Sequence, residues 1–131
     1  YRWIFEKHRH GSTVWSPLAG GILAGKYNDG NIPEGSRYDS KEGMINSIWN
    51  SYMGEGVRAK TIDKLQKLAA LAKETGYSQA QLALAWVIAS KDVSTALLGF
   101  TKVSQVEENL KALELYRKWT PELEKKVNDI L

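Results

Sequence analysis

Cysteine is absent from the 131 residues, which excludes a disulfide framework, thiolate chemistry and any zinc site built on sulfur. A membrane-length apolar run is absent too. The one strongly apolar stretch, Ala80 to Ala89, is about half of the ~20 residues a spanning helix needs and reads as a buried helix. Neither charge sign dominates: 18 basic and 15 acidic residues give a formal charge of +3, interspersed along helical-looking segments without a block of one sign. Neither a nucleic-acid partner nor membrane insertion is therefore expected. No secretory leader is visible at the start, so cytoplasmic residence is the default expectation.

The composition is that of an ordinary globular protein, with 43% hydrophobic and 25% charged residues. Its length suits one domain or part of a larger one. Because Tyr1 to His8 reads as the middle or end of a helix, with Tyr1, Ile4, Phe5 and His8 on one face, the expectation is a piece of a longer protein.

Two stretches have the character of short strands. Ser12 to Ser16 carries Thr13, Val14 and Trp15 and stops at Pro17, which cannot donate to a ladder. Val93 to Phe100 is apolar on both faces, as in a parallel strand covered on both sides, and Gly99 marks its end. Between them lie Lys41 to Tyr52, with a stripe of Met44, Ile45, Ile48, Trp49 and Tyr52, and Arg58 to Thr75, whose Ile62, Leu65, Leu68, Ala69 and Ala72 recur at amphipathic helix spacing. Gly76 stops the second of these. Ser78 and Gln81 form a capping box for a helix over Gln79 to Ser90 that is apolar nearly all round and belongs in the core, with Trp86 as core packing.

After the second strand, Thr101 is placed to cap a helix from Lys102 to about Leu115, with Val106, Leu110 and Leu113 inward. Thr120-Pro121 opens the last helix, with Leu123, Val127, Ile130 and Leu131 inward. Strands alternating with helices predict an α/β chain with parallel pairing. Two parallel strands cannot close a core alone, so they read as part of a larger sheet.

Ligand chemistry is concentrated in Val14-Trp15-Ser16-Pro17-Leu18-Ala19-Gly20-Gly21-Ile22-Leu23-Ala24-Gly25-Lys26-Tyr27. A strand end, a Pro break, small residues that let a ligand approach the main chain and a single flexible ammonium suit a phosphate site. Most Gly-rich turns are only turns, and taken alone these residues also fit that simpler reading. From Leu18 to about Ser40 the chain is a long excursion with a turn cluster at Asn28-Asp29-Gly30-Asn31; such a length is often functional, and otherwise a surface Ω-loop. His8 and His10 read as exposed helix-end residues.

Two motifs carry a family resemblance. One is Trp15-Ser16-Pro17-Leu18-Ala19-Gly20-Gly21 with Gly25-Lys26-Tyr27 and Ser36-Arg37. The other is Leu98-Gly99 with Gln105-Val106-Glu107-Glu108-Asn109-Leu110. In this order, separated by helices, they resemble the C-terminal part of an aldo-keto reductase, closest to the voltage-gated potassium channel β-subunit branch, over nearly the whole chain.

That resemblance implies the C-terminal portion of a (β/α)8 TIM barrel over residues 1–131, with strands seven and eight at Ser12 to Ser16 and Val93 to Leu98. Barrel ligand sites gather at the C-terminal strand ends, and phosphate sites at the loops after strands seven and eight. It further implies an NADPH (NADP+) site in which Trp15 stacks on the nicotinamide. Ser16, Leu18 and Gly20 would line the pyrophosphate, and Lys26 would pair with a phosphate. Arg37 and Gln105 would lie near the adenosine, Thr101 near the 2′-phosphate, and Glu108 and Asn109 at the adenine amino group, with Pro17, Ala19 and Gly99 also among the cofactor-binding residues.

Many relatives carry Ser at the Thr101 position and Arg at the Gln105 position. The family's catalytic Asp, Tyr, Lys and His lie on earlier strands, so the resemblance implies no catalytic residue in this chain, no metal site, and no catalytic competence for the isolated polypeptide. The implied partners are a nicotinamide dinucleotide, a small carbonyl substrate, and either a second copy or a channel α-subunit. The two activities implied are NADPH-dependent reduction of aldehydes and ketones, and redox sensing by a channel β-subunit.

Overall fold

In the computed structural model, residues 2–40 and 43–131 are described. The chain runs α1 (Arg2–His8), β1 (Ser12–Trp15), two short 3-10 segments (Ala19–Ala24 and Arg37–Ser40), α2 (Gly43–Met53), α3 (Arg58–Thr75) and α4 (Gln79–Ala89). It continues through β2 (Val93–Leu97), α5 (Val103–Leu110), α6 (Ala112–Arg117) and α7 (Pro121–Ile130). The two strands pair in parallel, Val14 opposite Ala96 and Trp15 opposite Leu97, with an irregularity between Ser12 and Thr13.

Two apolar clusters hold these elements. Leu68, Leu71, Ala72, Leu82, Ala85, Leu115 and Val127 are buried together, with Trp86, Leu123, Ile130 and Leu131 packed against them. The stripes read for α3, α4 and α7 account for Leu68, Ala72, Leu82, Ala85 and Val127, whereas Leu71 and Leu115 lie outside the inward faces read from the sequence. The Trp86 indole Nε1–H also donates to Asn128 Oδ1 at 2.8 Å, tying α4 to α7 as well as packing between them. The second cluster joins Ile22, Tyr27 and Tyr38 to Trp49, Met53 and Leu65.

Local signals explain most element ends. Ser78 Oγ accepts from Gln81 N at 3.3 Å and Ser78 N donates to Gln81 Oε1 at 2.8 Å, the reciprocal capping pair. Gly76 closes α3 at φ 77°, a left-handed position that costs glycine little. Thr120 Oγ1 accepts from Leu123 N at 3.2 Å, ahead of Pro121 at the start of α7. Thr120→Ala should remove this cap and lower stability by about 1 kcal/mol, measured as a shift in urea midpoint at unchanged m-value.

The structure corrects several expectations. The first strand stops at Trp15 because Ser16 takes φ 51° and turns the chain before Pro17 is reached. The second stops at Leu97, short of both Leu98 and Phe100. The expected single helix from Lys102 to Leu115 is two, broken around Lys111. The break resets the inward face, so Ala112 and Leu115 are buried while Leu110 and Leu113 stay exposed.

Thr101 is not the cap of α5. That position belongs to Lys102, and the capping acceptor is the Gln105 carboxamide, which reaches back to the Thr101 and Lys102 amides. The helix expected from Lys41 begins at Gly43 and reaches Met53, while Lys41 and Tyr1 lie outside the described residues. Met44 and Tyr52, expected on its inner face, are exposed, and Met53 is buried in their place.

The excursion from Leu18 to Ser40 is no open Ω-loop, since Tyr27 and Tyr38 are among the most buried side chains of the molecule. The strands differ in the opposite sense. Trp15, Leu97 and Phe100 are exposed, although the second stretch is apolar on both faces and a parallel sheet is expected to be covered on both. The accessible surface of 8826 Å² compares with about 6,900 Å² for a compact monomer of this mass.

Candidate functional site

Where β1 and β2 end side by side, the following loops enclose a cleft of ≈ 600 Å³, within the usual size of a small-ligand site. One wall comes from the β1 end and the turn after it: Trp15, Ser16, Pro17, Leu18, Gly20, Gly21 and Ala24. The opposite wall comes from Leu97 to Thr101 and from the α5 face of Gln105, Glu108 and Asn109. Lys26 and Arg37 reach in from the excursion, and Ala80 closes the floor at the start of α4.

The turn after β1 is built on left-handed backbone. Ser16, Ala19, Gly20, Gly21 and Gly25 have φ of 51°, 49°, 68°, 104° and 91°, conformations that are costly for non-glycine residues unless packing holds them. Internal hydrogen bonds do so. Ala19 N donates to Ser16 O at 2.8 Å, Gly21 N to Leu18 O at 2.9 Å, and Gly20 N to Ser16 Oγ at 3.1 Å. These three amides are engaged within the turn, so positive charge for an anion must come from Lys26 and Arg37.

The excursion is fixed at several points. Asn28 and Gln79 exchange amide hydrogen bonds, Nδ2 to Oε1 at 2.8 Å and Nε2 to Oδ1 at 3.3 Å, which ties the residues after Lys26 to the start of α4. Arg58 donates to the buried Gly30 carbonyl at 2.7 Å. At the exposed turn tip, Asn31 N donates to Asp29 Oδ1 at 2.9 Å, and this backbone hydrogen bond, more than the Asn31 side chain, holds the Asp29 carboxyl below its ordinary value.

On the opposite wall a single oxygen organises the loop. Gln105 Oε1 accepts from Thr101 N at 2.9 Å and from Thr101 Oγ1 and Lys102 N at 3.3 Å each. The buried Gln81 joins this wall to α4, its Nε2 donating to the Glu108 carbonyl at 2.8 Å while its Oε1 serves the capping pair.

Twelve of the thirteen residues picked from the sequence line this one cleft: Trp15, Ser16, Pro17, Leu18, Gly20, Lys26, Arg37, Gly99, Thr101, Gln105, Glu108 and Asn109. Ala19 does not; its carbonyl accepts from the Tyr38 hydroxyl at 3.0 Å instead. Sequence reasoning missed Gly21, Ala24, Ala80, Leu97, Leu98 and Phe100 as wall residues and Tyr38, Gln79 and Gln81 as supports. Buried glutamines had a signal, since both sit in the first turn of a helix otherwise apolar nearly all round. His8 and His10 are exposed, His8 lying edge-on to Trp3 with ring centroids 5.3 Å apart.

Residues 4–128 match the sequence profile of the aldo/keto reductase family. The chain belongs to that family. A fission yeast (Schizosaccharomyces pombe) protein bearing the name of a voltage-gated potassium channel β subunit is 44% identical over 93% of this chain. Proteins bearing the same name from rice (Oryza sativa) and Arabidopsis thaliana are 38% and 37% identical over 98% of it. The chain spans 34% of the length of the first relative and 37% of the other two, about a third of each. Among the described residues no helix of this aldo/keto reductase chain is long and apolar enough to cross a membrane.

Proposed function

We propose that this chain forms the C-terminal portion of a (β/α)8 barrel and carries the NADPH-binding part of an aldo/keto reductase that converts aldehydes and ketones to alcohols. The observation that carries this reading is the single cleft at the paired strand ends, with Lys26 and Arg37 on one side of it and Thr101, Gln105, Glu108 and Asn109 on the other. The surface in excess of a compact monomer and the exposed Trp15, Leu97 and Phe100 support the barrel, because further strands and their side chains would cover those faces.

The donor set fits a dinucleotide phosphate. Two flexible cations can meet its phosphates, and the Trp15 side chain, 76% exposed at the cleft mouth, offers a planar face to a nicotinamide. The carboxylate of Glu108 and the amide of Asn109 match an adenine amino group and ring nitrogen. When bound, the dihydronicotinamide supplies a hydride to a carbonyl carbon. This chain's part is to hold and orient that ring and to neutralise the phosphates. Proton delivery belongs to residues that the family carries upstream.

A second reading rests on the names of the relatives: a β-subunit-like protein in which the same site senses the redox state of the nicotinamide pool while the protein assembles with a channel α-subunit. Both readings place the protein in the cytoplasm. Titration of the full-length protein with NADPH, followed by tryptophan-to-nicotinamide energy transfer, should saturate in the micromolar range. Absence of saturation up to ~1 mM, an affinity of only about −4 kcal/mol, would remove both readings. Turnover of a panel of aldehydes supports the reductase, and stable assembly with a channel subunit without turnover supports the sensor.

A further inference from the structure

Tyr38 lines no wall of the cleft, yet it touches both parts of the excursion that do. Its side chain is 2% exposed and its ring is held by Tyr27 and Trp49, centroids 5.3 and 5.0 Å away. Its hydroxyl donates to the Ala19 carbonyl at 3.0 Å. A methyl at Gly20 would overlap that hydroxyl and stand 3.2 Å from Cζ. On the other side, its chain neighbour Arg37 reaches into the cleft. Burial pushes the phenol above its ordinary value against the opposing pull of Arg37, so it stays a donor through the neutral range.

We infer that Tyr38 is a positioning residue of the dinucleotide site, a buried strut whose hydroxyl fixes the left-handed Ala19–Gly21 turn and, through the same side chain, the placement of Arg37. The inference deepens the nucleotide-binding reading above and rests on it for its effect on binding, but not for the coupling itself. Among the described residues the turn's strained backbone has one long-range hydrogen bond, from the Tyr38 hydroxyl to the Ala19 carbonyl across 19 residues, and without it the turn keeps its local hydrogen bonds and the packing of Ile22 and Leu23. Gly20 is the complementary half of the contact, because the absence of a side chain there makes room for the phenol oxygen.

The test compares Tyr38→Phe, Gly20→Ala and the double variant in the full-length protein. Tyr38→Phe keeps the ring among Tyr27 and Trp49 and removes only the hydroxyl. Amide exchange should rise three- to tenfold at Ala19 to Ala24 and stay unchanged in α3 and α4, and NADPH should dissociate three- to tenfold faster. Gly20→Ala should perturb the turn more in the presence of the Tyr38 hydroxyl than in its absence, so the two changes should be non-additive.

Unchanged exchange at the turn in Tyr38→Phe, or strict additivity in the double variant, overturns the inference even if NADPH binds normally. If NADPH fails to bind the unaltered protein, the nucleotide reading falls, and the exchange measurement still decides the coupling.

Discussion

Removing both cations, as Lys26→Met with Arg37→Met, should weaken NADPH binding about a hundred- to a thousandfold, the largest effect on affinity expected from any pair of substitutions in this chain. Hydrogen bonds to charged groups contribute about 1.5–3 kcal/mol each, and two such contacts on one dinucleotide are partly redundant, so the combined loss falls below their sum. Both side chains are exposed, and neither forms a salt bridge among the described residues. Their loss should therefore leave the melting temperature unchanged.

The amides of Ala19, Gly20 and Gly21 are already engaged inside the turn and cannot substitute for the missing charge without unfolding it. The measurement is a titration of each variant at several ionic strengths. Affinity should fall with salt in the parent and much less in the double variant, because screening acts on the charge that has been removed. Equal affinity and an unchanged salt dependence would separate the cleft from phosphate binding.

Gln81→Glu should destabilise the protein by about 2–4 kcal/mol, with a cooperative loss of the α5 wall. The change is nearly isosteric, and a carboxylate oxygen can still accept from Ser78 N as Oε1 does now. The other oxygen, however, would face the Glu108 carbonyl in place of the Nε2 donor that reaches it at 2.8 Å. An acceptor set against an acceptor at a residue only 6% exposed leaves a buried charge without a partner. The carboxyl would be driven to protonate, so the destabilisation should shrink as the pH is lowered from 7 towards 5, opposite to the behaviour of a paired surface carboxylate. Urea unfolding at these two pH values measures it; a loss independent of pH would point to packing.

The amphipathic stripes of α3 and α7, the capping pair at Ser78 and the Thr120-Pro121 start were readable because each is a local pattern whose physics is complete within a few residues. The cleft was readable for a similar reason: its two walls are short motifs following strand ends. Tertiary packing decided the rest. Nothing in the periodicity of residues 102–115 marks the break around Lys111, which sets Ala112 and Leu115 against α4 in place of Leu110 and Leu113. Tyr38 and Tyr27 lie in a stretch rich in Gly, Asn and Asp that reads as solvated loop, and only a partner distant in sequence, Trp49, makes them core. Strand exposure also eluded the sequence, because an apolar strand records the cover it is suited to rather than the cover this chain supplies.

The register of the sheet has a kinetic consequence. Ser12 meets Val93 roughly 80 positions along the chain, and closing a loop of that length costs about 4 kcal/mol in chain entropy beyond a fixed constant. By contrast, α3 and α4 are joined by a turn of three residues, Gly76 to Ser78, and can form early at small entropic cost. Helical content and the Leu68–Leu82 cluster should thus be present before the strands meet, and low contact order favours that sequence of events. Since the cleft exists only where the two strand ends lie together, it should be the last feature to assemble, after the helical signal in the far ultraviolet has developed.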